Sequence, residues 1–162
     1  METIHCFAPF ISENSRLLIL GSMPSVRSLA EGFYYMHPRN RFYLVLSALT
    51  GEKLPETLAE KQDFLTRHGI ALFDVIASCR REGSTDAKIK DAIPNDIDAL
   101  LSAYPNIKTV VTNGSLAAKL YEKHNHNALP HFALPSTSPI PRKDIRNADD
   151  LIKKWQAIAD LL

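Results

Sequence analysis

Short apolar runs alternate along this chain with stretches in which apolar residues recur at helical spacing. The runs cover residues 16–21, 70–75, 109–112 and 131–134. Continuous apolar runs of this length are typical of strands that are buried on both faces. Strands that alternate with helices predict an α/β fold, with a central four-stranded parallel sheet flanked by helices.

The segments between the runs predict helices whose ends are marked by capping residues. The predicted helices cover residues 42–49, 58–67, 96–104 and 116–123, with another beginning near Asp86 after Ser84 or Thr85 and a last one after Asn147. Gly51 and Gly69 follow the first two, as is common where helices end. In the last helix, apolar residues at 151, 152, 155, 158 and 162 share one face.

Ligands of parallel sheets bind beyond the carboxyl ends of the strands, so the residues after each predicted strand are the first candidates for chemistry. These are Gly21–Ser25, Asp74, Asn113–Ser115 and Pro135–Pro139. Three of the four segments are rich in small residues, which let the backbone approach a ligand and present N–H donors. We interpret Asp74 mainly as a structural turn residue, with support of the site as a second role.

The loop that precedes the first long helix is dense in aromatic and polar side chains. It reads FYYMHPRNRFY over residues 33–43. Burying polar side chains without partners costs free energy, so such a loop indicates binding or catalysis. A structural interpretation also stays open, in which His37 stabilises a turn and Asn40 caps the helix that follows.

A second loop, LPSTSPIPRKDIR over residues 134–146, combines hydroxyl and basic side chains. Its prolines restrict the backbone, and serines with nearby cations are groups that contact phosphates. A solvated surface loop is the alternative interpretation.

Composition restricts the class of protein. The chain has 162 residues and a formal net charge of +1, so we expect one domain over residues 1–162, with any nucleic-acid contact depending on local charge. Two cysteines and the absence of an HExxH pattern predict no disulfide framework, no metal and no cofactor. The sequence shows neither a signal peptide nor a membrane span. We therefore expect a cytoplasmic protein, associated with the nucleoid if the source is bacterial.

Five motifs follow one another in a recognisable order, and four of them stand at the ends of predicted strands. They are GSMPS at 21–25, YYMHPRNRFY at 34–43, DVIASCRREGSTD at 74–86, NGS at 113–115 and LPSTSP at 134–139. Together they resemble the uracil-DNA glycosylase superfamily over residues 16–142, and most of all its hypoxanthine-DNA (deoxyinosine) glycosylase family. Two positions depart from better-known branches. Met23 stands where those branches place an Asp or Asn, and Leu134 stands where the well-known uracil enzymes have a His.

The resemblance implies a glycosylase that hydrolyses the N-glycosidic bond of a flipped deaminated base, with hypoxanthine foremost, and leaves an abasic site without lyase cleavage. It implies that Asn40 is catalytic, and we expect its amide oxygen to aim the attacking water. His37 is the second catalytic candidate, as a donor to the departing base. The predicted substrate contacts are Gly21, Ser22, Met23, Tyr35, Phe42 and Asn113.

Contacts to DNA are predicted from the same strand-end loops. The candidates are Ser25, Ser115, Ser136, Thr137, Ser138, Ile140, Arg142 and Lys143, with Ile140 as an apolar wedge, the four serines at phosphates, and the arginine and lysine adding positive charge. The expected partner is DNA that carries a deaminated or mismatched base, bound by a monomer with no membrane association.

Three alternatives remain at this stage. The same fold could prefer uracil or thymine in mismatches, and a non-catalytic α/β domain could bind nucleotides or DNA through the same loops. A serine hydrolase is disfavoured because the sequence has no GxSxG elbow.

Overall fold

The computed structural model describes residues 1–140 and 142–162. In chain order the strands are β1 (Thr3–His5), β2 (Leu17–Gly21), β3 (Ile70–Asp74), β4 (Ile76–Arg80), β5 (Lys90–Pro94), β6 (Thr109–Asn113) and β7 (His131–Leu134). The helices are α1 (Val26–Glu31), α2 (Phe42–Thr50), α3 (Leu58–Arg67), α4 (Ile97–Ala103), α5 (Ser115–His124) and α6 (Ala148–Trp155). Short 3₁₀ helices cover Asp86–Lys88 and Gln156–Leu161.

The predicted four-stranded parallel sheet is confirmed, with the order β3-β2-β6-β7. Gly21 pairs with Asp74 at the end of β2 and β3, and Asn113 pairs with Leu134 at the end of β6 and β7. Since all four strands run in one direction, their carboxyl ends lie along one edge of the sheet. The residues predicted to carry the chemistry follow that edge.

Alternation along β2 separates the two halves of the core. Leu17 and Ile19 pack with apolar residues of α2, α3 and α6, whereas Leu18 and Leu20 face α4, α5 and β4. These four side chains are at most 1% exposed, and each such burial contributes roughly 1.5–3 kcal/mol. The central strand is therefore held rigidly from both sides, which fixes the position of the loop that follows it.

A second, antiparallel sheet in the order β1-β4-β5 was not predicted. Only Val75 separates β3 from β4, and the predicted run ended at that residue, so the pattern gave no sign of a second strand directly after it. β5 was not predicted because it is exposed along its whole length and contains two charged residues and a proline. A strand that buries no face leaves no apolar period in the sequence.

Several helix predictions need correction at their boundaries. The short helix α1 lies inside the first loop and was missed, although Ser25 caps it and Gly32 ends it in the left-handed conformation. The helix expected after Ser84 or Thr85 is a single 3₁₀ turn that has no side-chain cap. The Asn147 cap is confirmed, but its helix ends at Trp155 and continues as 3₁₀. Within the described part of the chain, no helix is both long and apolar enough to span a bilayer.

Candidate active site

A cavity of about 650 Å³ opens at the carboxyl edge of the parallel sheet. Its lining comes from residues 21–25, 28, 34, 35, 37, 40, 74, 84–87, 113–115, 136–140 and 142. All four strand-end segments therefore contribute to one site, together with a loop between β4 and β5. This volume lies within the range typical of small-molecule sites, and a purine or pyrimidine base fits it.

Asn40 lies on this lining at the beginning of α2. Its Oδ1 accepts a hydrogen bond of 2.9 Å from the Phe42 backbone N–H and one of 2.8 Å from the Thr137 hydroxyl. A carbonyl oxygen has two lone pairs, so both acceptor positions are taken. The oxygen expected to aim a water is thus occupied by the protein, and the amide NH₂ is the group left for the cavity.

Thr137 connects Asn40 to the end of β6. The Asn113 Nδ2 donates to the Thr137 Oγ1 at 3.0 Å, and the Thr137 backbone N–H donates back to the Asn113 Oδ1 at 2.9 Å. The Thr137 carbonyl accepts from the Arg41 N–H at 3.0 Å. Thr137 is fully buried and Asn113 is 8% exposed, so these polar groups form hydrogen bonds within the protein rather than with solvent.

The aromatic wall of the cavity is formed by Tyr35. Its ring stacks on Phe42 with centroids 4.0 Å apart and planes 21° apart. Phe42, predicted to contact substrate, is fully buried and does not line the cavity, so the structure gives it the role of supporting Tyr35. Tyr35 has a φ of 57°, a costly backbone conformation for a bulky residue that often accompanies functional sites.

Asp74 is the acidic group of the cavity and was not among the predicted site residues. It is 3% exposed, and its Oδ2 is buried with no hydrogen-bond partner among residues 1–140 and 142–162. Burial raises the pKa of this carboxyl from 3.8 to about 7, against the opposing charge of Arg81 and with the help of Asp86. A buried carboxyl left without a partner is a strong indication of a ligand site.

The absence of a side chain at Gly21 leaves the space that the Asp74 carboxyl occupies. A Cβ on Gly21 would lie 2.7 Å from the Asp74 Oδ1, closer than real Cβ atoms come to their neighbours, and 3.1 Å from the Tyr35 hydroxyl oxygen, which is tighter than most such contacts. The Tyr35 hydroxyl is also buried and unpartnered within the described residues. Glycine at this position therefore lets two unsatisfied polar groups reach the same part of the cavity.

The loop between β4 and β5 forms another side of the cavity, and it was not predicted to be part of the site. The Ser22 hydroxyl donates to the Asp86 Oδ1 at 2.7 Å, and the Ser84 Oγ accepts from the Val26 N–H at 2.8 Å. Arg81 holds the loop further, because its guanidinium donates to the carbonyls of Gly83 and Pro24. The motif DVIASCRREGSTD contains Arg81, Ser84 and Asp86, but the only role predicted among them was a helix cap at Ser84.

Met23, predicted to contact substrate, lies on the cavity lining but is only 7% exposed. It packs with the apolar residues beneath the loop, including Val75. Its thioether therefore presents an apolar surface where better-known branches carry a polar side chain.

His37 lies on the cavity lining in a turn. Its Nδ1 accepts from the Arg39 N–H at 3.1 Å, and its carbonyl accepts from the Asn40 N–H at 2.9 Å. Since a backbone N–H can only donate, Nδ1 is unprotonated and Nε2 carries the proton of the neutral ring. The turn role is confirmed, and the Nε2–H remains a donor for the predicted catalytic role.

The hydroxyl groups predicted to bind DNA are largely engaged within the protein. Ser25 caps α1 by accepting from the Ser28 N–H at 3.1 Å, and Ser136 and Ser138 each accept from the backbone two residues on. Thr137, predicted to contact DNA, has a buried side chain that is bonded within the protein on both sides. Ser115 is exposed at the first turn of α5 and lines the cavity.

The apolar and basic candidates of the second loop lie at the cavity rim. Ile140 is 51% exposed beside the cavity, as a wedge requires. Arg142 also lines the cavity and pairs with Asp144 at 3.2 Å. Lys143 is exposed but lies outside the cavity lining.

Comparisons with known proteins agree with this geometry. A family model described as the uracil DNA glycosylase superfamily matches residues 8–161. A protein named hypoxanthine DNA glycosylase from Methanosarcina acetivorans is 32% identical over 94% of this chain and 95% of its own length. Its namesake from Methanosarcina barkeri is 40% identical over 67% of this chain and 69% of its own.

A solved structure extends the comparison to the whole fold. The solution NMR structure of a Methanosarcina acetivorans protein, described as a candidate uracil DNA glycosylase, is similar with a TM-score of 0.82. The match has 29% identity and covers 99% of both chains. This chain therefore belongs to the uracil DNA glycosylase superfamily.

Proposed function

We propose that this protein is a DNA glycosylase that acts as a monomer on deoxyinosine in DNA. It hydrolyses the N-glycosidic bond of the flipped hypoxanthine and leaves an abasic site. The observation that carries the proposal is the unpartnered Asp74 carboxyl beside Tyr35, inside a cavity large enough for a purine. Such a carboxyl pairs with the N–H and carbonyl of hypoxanthine and of uracil alike, so the choice of hypoxanthine rests on the two Methanosarcina relatives named hypoxanthine DNA glycosylase.

Recognition begins with extrusion of the base, which costs a few kcal/mol and least at a poorly paired lesion. Ile140 fills the gap in the duplex, since it is apolar and half exposed at the rim. Tyr35 stacks on the extruded base, and its own ring is held flat by Phe42. Stacking of a base on an aromatic side chain contributes roughly 1–3 kcal/mol.

Asp74 reads the edge of the base. The six-membered ring of hypoxanthine presents an N–H beside a carbonyl oxygen, and a protonated carboxyl offers an acceptor beside a donor. The two edges match in a pair of hydrogen bonds. A pKa of about 7 keeps a substantial protonated fraction at neutral pH, which an ordinary aspartic acid does not have.

The reaction breaks the bond between C1′ and N9, and the base leaves with the electron pair. Positive charge develops on the sugar, as in glycoside hydrolysis, and the oxygen of water bonds to C1′. One water proton balances the departing base and the other stays on the new hydroxyl. The Asn40 NH₂ and the His37 Nε2–H donate toward the negative charge that grows on the base.

A lyase activity requires an amine nucleophile close to the sugar. Among the residues that the structure describes, no lysine lies on the cavity lining. This supports a monofunctional enzyme that releases the base and does not cleave the strand.

The test is a single-turnover assay on duplexes that each carry one hypoxanthine, uracil, thymine mismatch or xanthine, followed by hot alkali. We expect abasic sites at hypoxanthine, and a rate reduced about 100- to 1000-fold in Asn40→Ala, the usual effect of losing a donor to developing charge. Asn106→Ala is the matched control, since Asn106 bonds to the Glu13 carbonyl outside the cavity. Release mainly of uracil would change the assigned base, and binding without release would indicate a non-catalytic domain.

A further inference from the structure

The polar chain Asn113–Thr137–Asn40 joins three segments that are far apart in sequence. Thr137 lies on the second loop, and its hydroxyl bonds to residues 24 positions before it and 97 positions before it. The Thr137 side chain is fully buried. All three residues belong to the cavity lining, and their shared hydrogen bonds centre on a threonine that is closed to solvent.

The direction of every hydrogen bond in the chain follows from the two backbone groups at its ends. The Thr137 N–H can only donate, so the atom of Asn113 that it meets is Oδ1, and Asn113 Nδ2 must face the Thr137 hydroxyl. Because that hydroxyl oxygen accepts a hydrogen bond from Nδ2, its own O–H donates to the Asn40 Oδ1. The Phe42 N–H, also only a donor, fixes the same Oδ1 from the other side.

We propose that Thr137 is a positioning residue that fixes the Asn40 amide with its NH₂ toward the reacting base. The inference rests on the proposed hydrolysis and assigns to this chain of hydrogen bonds the task of orienting the catalytic group. Without the Thr137 hydroxyl, one lone pair of Asn40 Oδ1 loses its partner. We then expect the amide to rotate so that this lone pair finds another donor, and the NH₂ no longer points toward the base.

The Arg41 contacts make the same segment rigid. The Arg41 N–H donates to the Thr137 carbonyl at 3.0 Å, and its guanidinium donates to the Ser138 carbonyl at 3.1 Å. The Trp155 indole N–H bonds to the Pro135 carbonyl at 2.9 Å. Thr137 therefore stands on a loop held at both sides, as the orientation of a catalytic group requires.

The experiment is a double-mutant cycle in single-turnover kinetics on hypoxanthine DNA. Thr137→Val keeps the side-chain shape and removes the hydroxyl, and we expect the rate to fall roughly 10- to 100-fold, the order expected when a reacting group is misplaced. DNA affinity should change little. In an Asn40→Ala background the same substitution should have no further effect, because Thr137 acts only through that amide.

Three further variants sharpen the result. Thr137→Ser retains the hydroxyl and should recover most of the rate. Asn113→Asp replaces the Nδ2 donor by an acceptor that attracts the Thr137 proton, so it should slow the reaction even if Thr137→Val folds poorly. Thr112→Val also removes a fully buried hydroxyl, one bonded to His131, and should leave the rate unchanged.

The outcomes separate the positioning role from the proposed function. If Thr137→Val slows Asn40→Ala by the same factor as it slows the wild type, the two residues act independently and the positioning role is wrong. A wild-type rate for Thr137→Val overturns it equally. If the wild-type protein releases no hypoxanthine at all, the proposed function fails first, and the positioning role fails with it.

Discussion

Two sides of the cavity differ in how their polar groups are satisfied. On one side, Asn40, Thr137 and Asn113 bond to one another and to the backbone. On the other, the Asp74 Oδ2 and the Tyr35 hydroxyl are buried without partners among the residues described. A buried polar group that lacks a hydrogen bond costs roughly 1–3 kcal/mol. The hydrogen bonds on the satisfied side thus fix the positions of its own side chains. The polar groups on the unsatisfied side are left for a ligand to bind.

The difference also extends to the backbone. Asn40 lies one residue before Arg41, the N-cap of α2, in an ordinary local arrangement in which its side-chain oxygen accepts from the N–H two residues on. Tyr35 adopts a left-handed conformation, and Gly21 is required by contact distance alone. Strain and unsatisfied groups thus coincide on the side that we assign to base recognition, as is common at binding sites.

Closing the unsatisfied side should have the largest effect. In Gly21→Ala the new methyl group would lie 2.7 Å from the Asp74 Oδ1, so the carboxyl or the end of β2 must shift. We expect the single-turnover rate on hypoxanthine to fall by about 100-fold or more, the order found for small misplacements in active sites. Thermal melting should show that the variant is folded. A rate within twofold of wild type would contradict the crowding of this part of the cavity.

Removing the stacking surface should have the next largest effect. Tyr35→Ala loses the ring against which the base lies, and at 1–3 kcal/mol for stacking the rate at limiting enzyme should fall about 5- to 150-fold. Tyr35→Phe keeps the ring on Phe42 and removes only the unpartnered hydroxyl. If both variants lose the same activity, the hydroxyl rather than the ring is the important group.

Changing the charge of Asp74 sharpens the comparison through pH. Its pKa of about 7 means that the neutral form, which donates to the base, is lost as pH rises through 7. The wild-type rate should therefore fall by up to about tenfold per pH unit above 7. Asp74→Asn keeps a donor beside an acceptor at every pH, so its rate should stay flat between pH 6 and 9. Coinciding profiles for the two proteins would remove Asp74 from base recognition.

The same substitution has a consequence for stability. The folded-state pKa of Asp74 lies above the ordinary value of 3.8, so burial of its charge destabilises the fold increasingly as pH rises from 3.8 to 7 and fully above 7. Asp74→Asn should therefore raise the melting temperature most at alkaline pH and least near pH 4. The measurement is thermal unfolding of both proteins across that range.

The satisfied side was partly predictable from sequence, and the unsatisfied side was not. Asn40 was identified as a catalytic residue by its motif, whereas its position before an apolar helix favoured the alternative of a capping role. Thr137 was predicted to contact DNA, and its bonds to two side-chain amides were not foreseen, because a serine- and threonine-rich loop looks alike whether its hydroxyls face DNA or a buried amide. Which groups a hydroxyl meets depends on residues 24 and 97 positions away, which local pattern does not show.

Asp74 was placed correctly at a strand end but was interpreted mainly as a turn residue. Its importance lies in the missing partner at Oδ2, which depends on how Gly21 and Tyr35 pack around it. The parallel sheet was predictable because strands that are buried on both faces consist of continuous apolar runs. β5 buries no face and left no such signal.

The smallest effects are expected at the rim, where charges are exposed. Arg142 lines the cavity, but its guanidinium pairs with Asp144, and an exposed pair of this kind contributes at most about 1 kcal/mol. If Arg142 contacts a phosphate, Arg142→Ala should weaken DNA binding a few-fold and reduce the slope of log K against log salt by about 1. The measurement is fluorescence anisotropy of a hypoxanthine duplex at several salt concentrations.

Two companion variants make this result specific. Asp144→Ala frees the guanidinium, so it should tighten binding a few-fold at low salt and leave the rate of bond cleavage unchanged. Lys143→Ala removes an exposed charge outside the cavity lining and should change the slope less than Arg142→Ala does. If the lysine variant has the larger effect, the DNA backbone follows a path beyond the rim defined by Ile140 and Arg142. The phosphate contacts would then lie apart from both sides of the cavity.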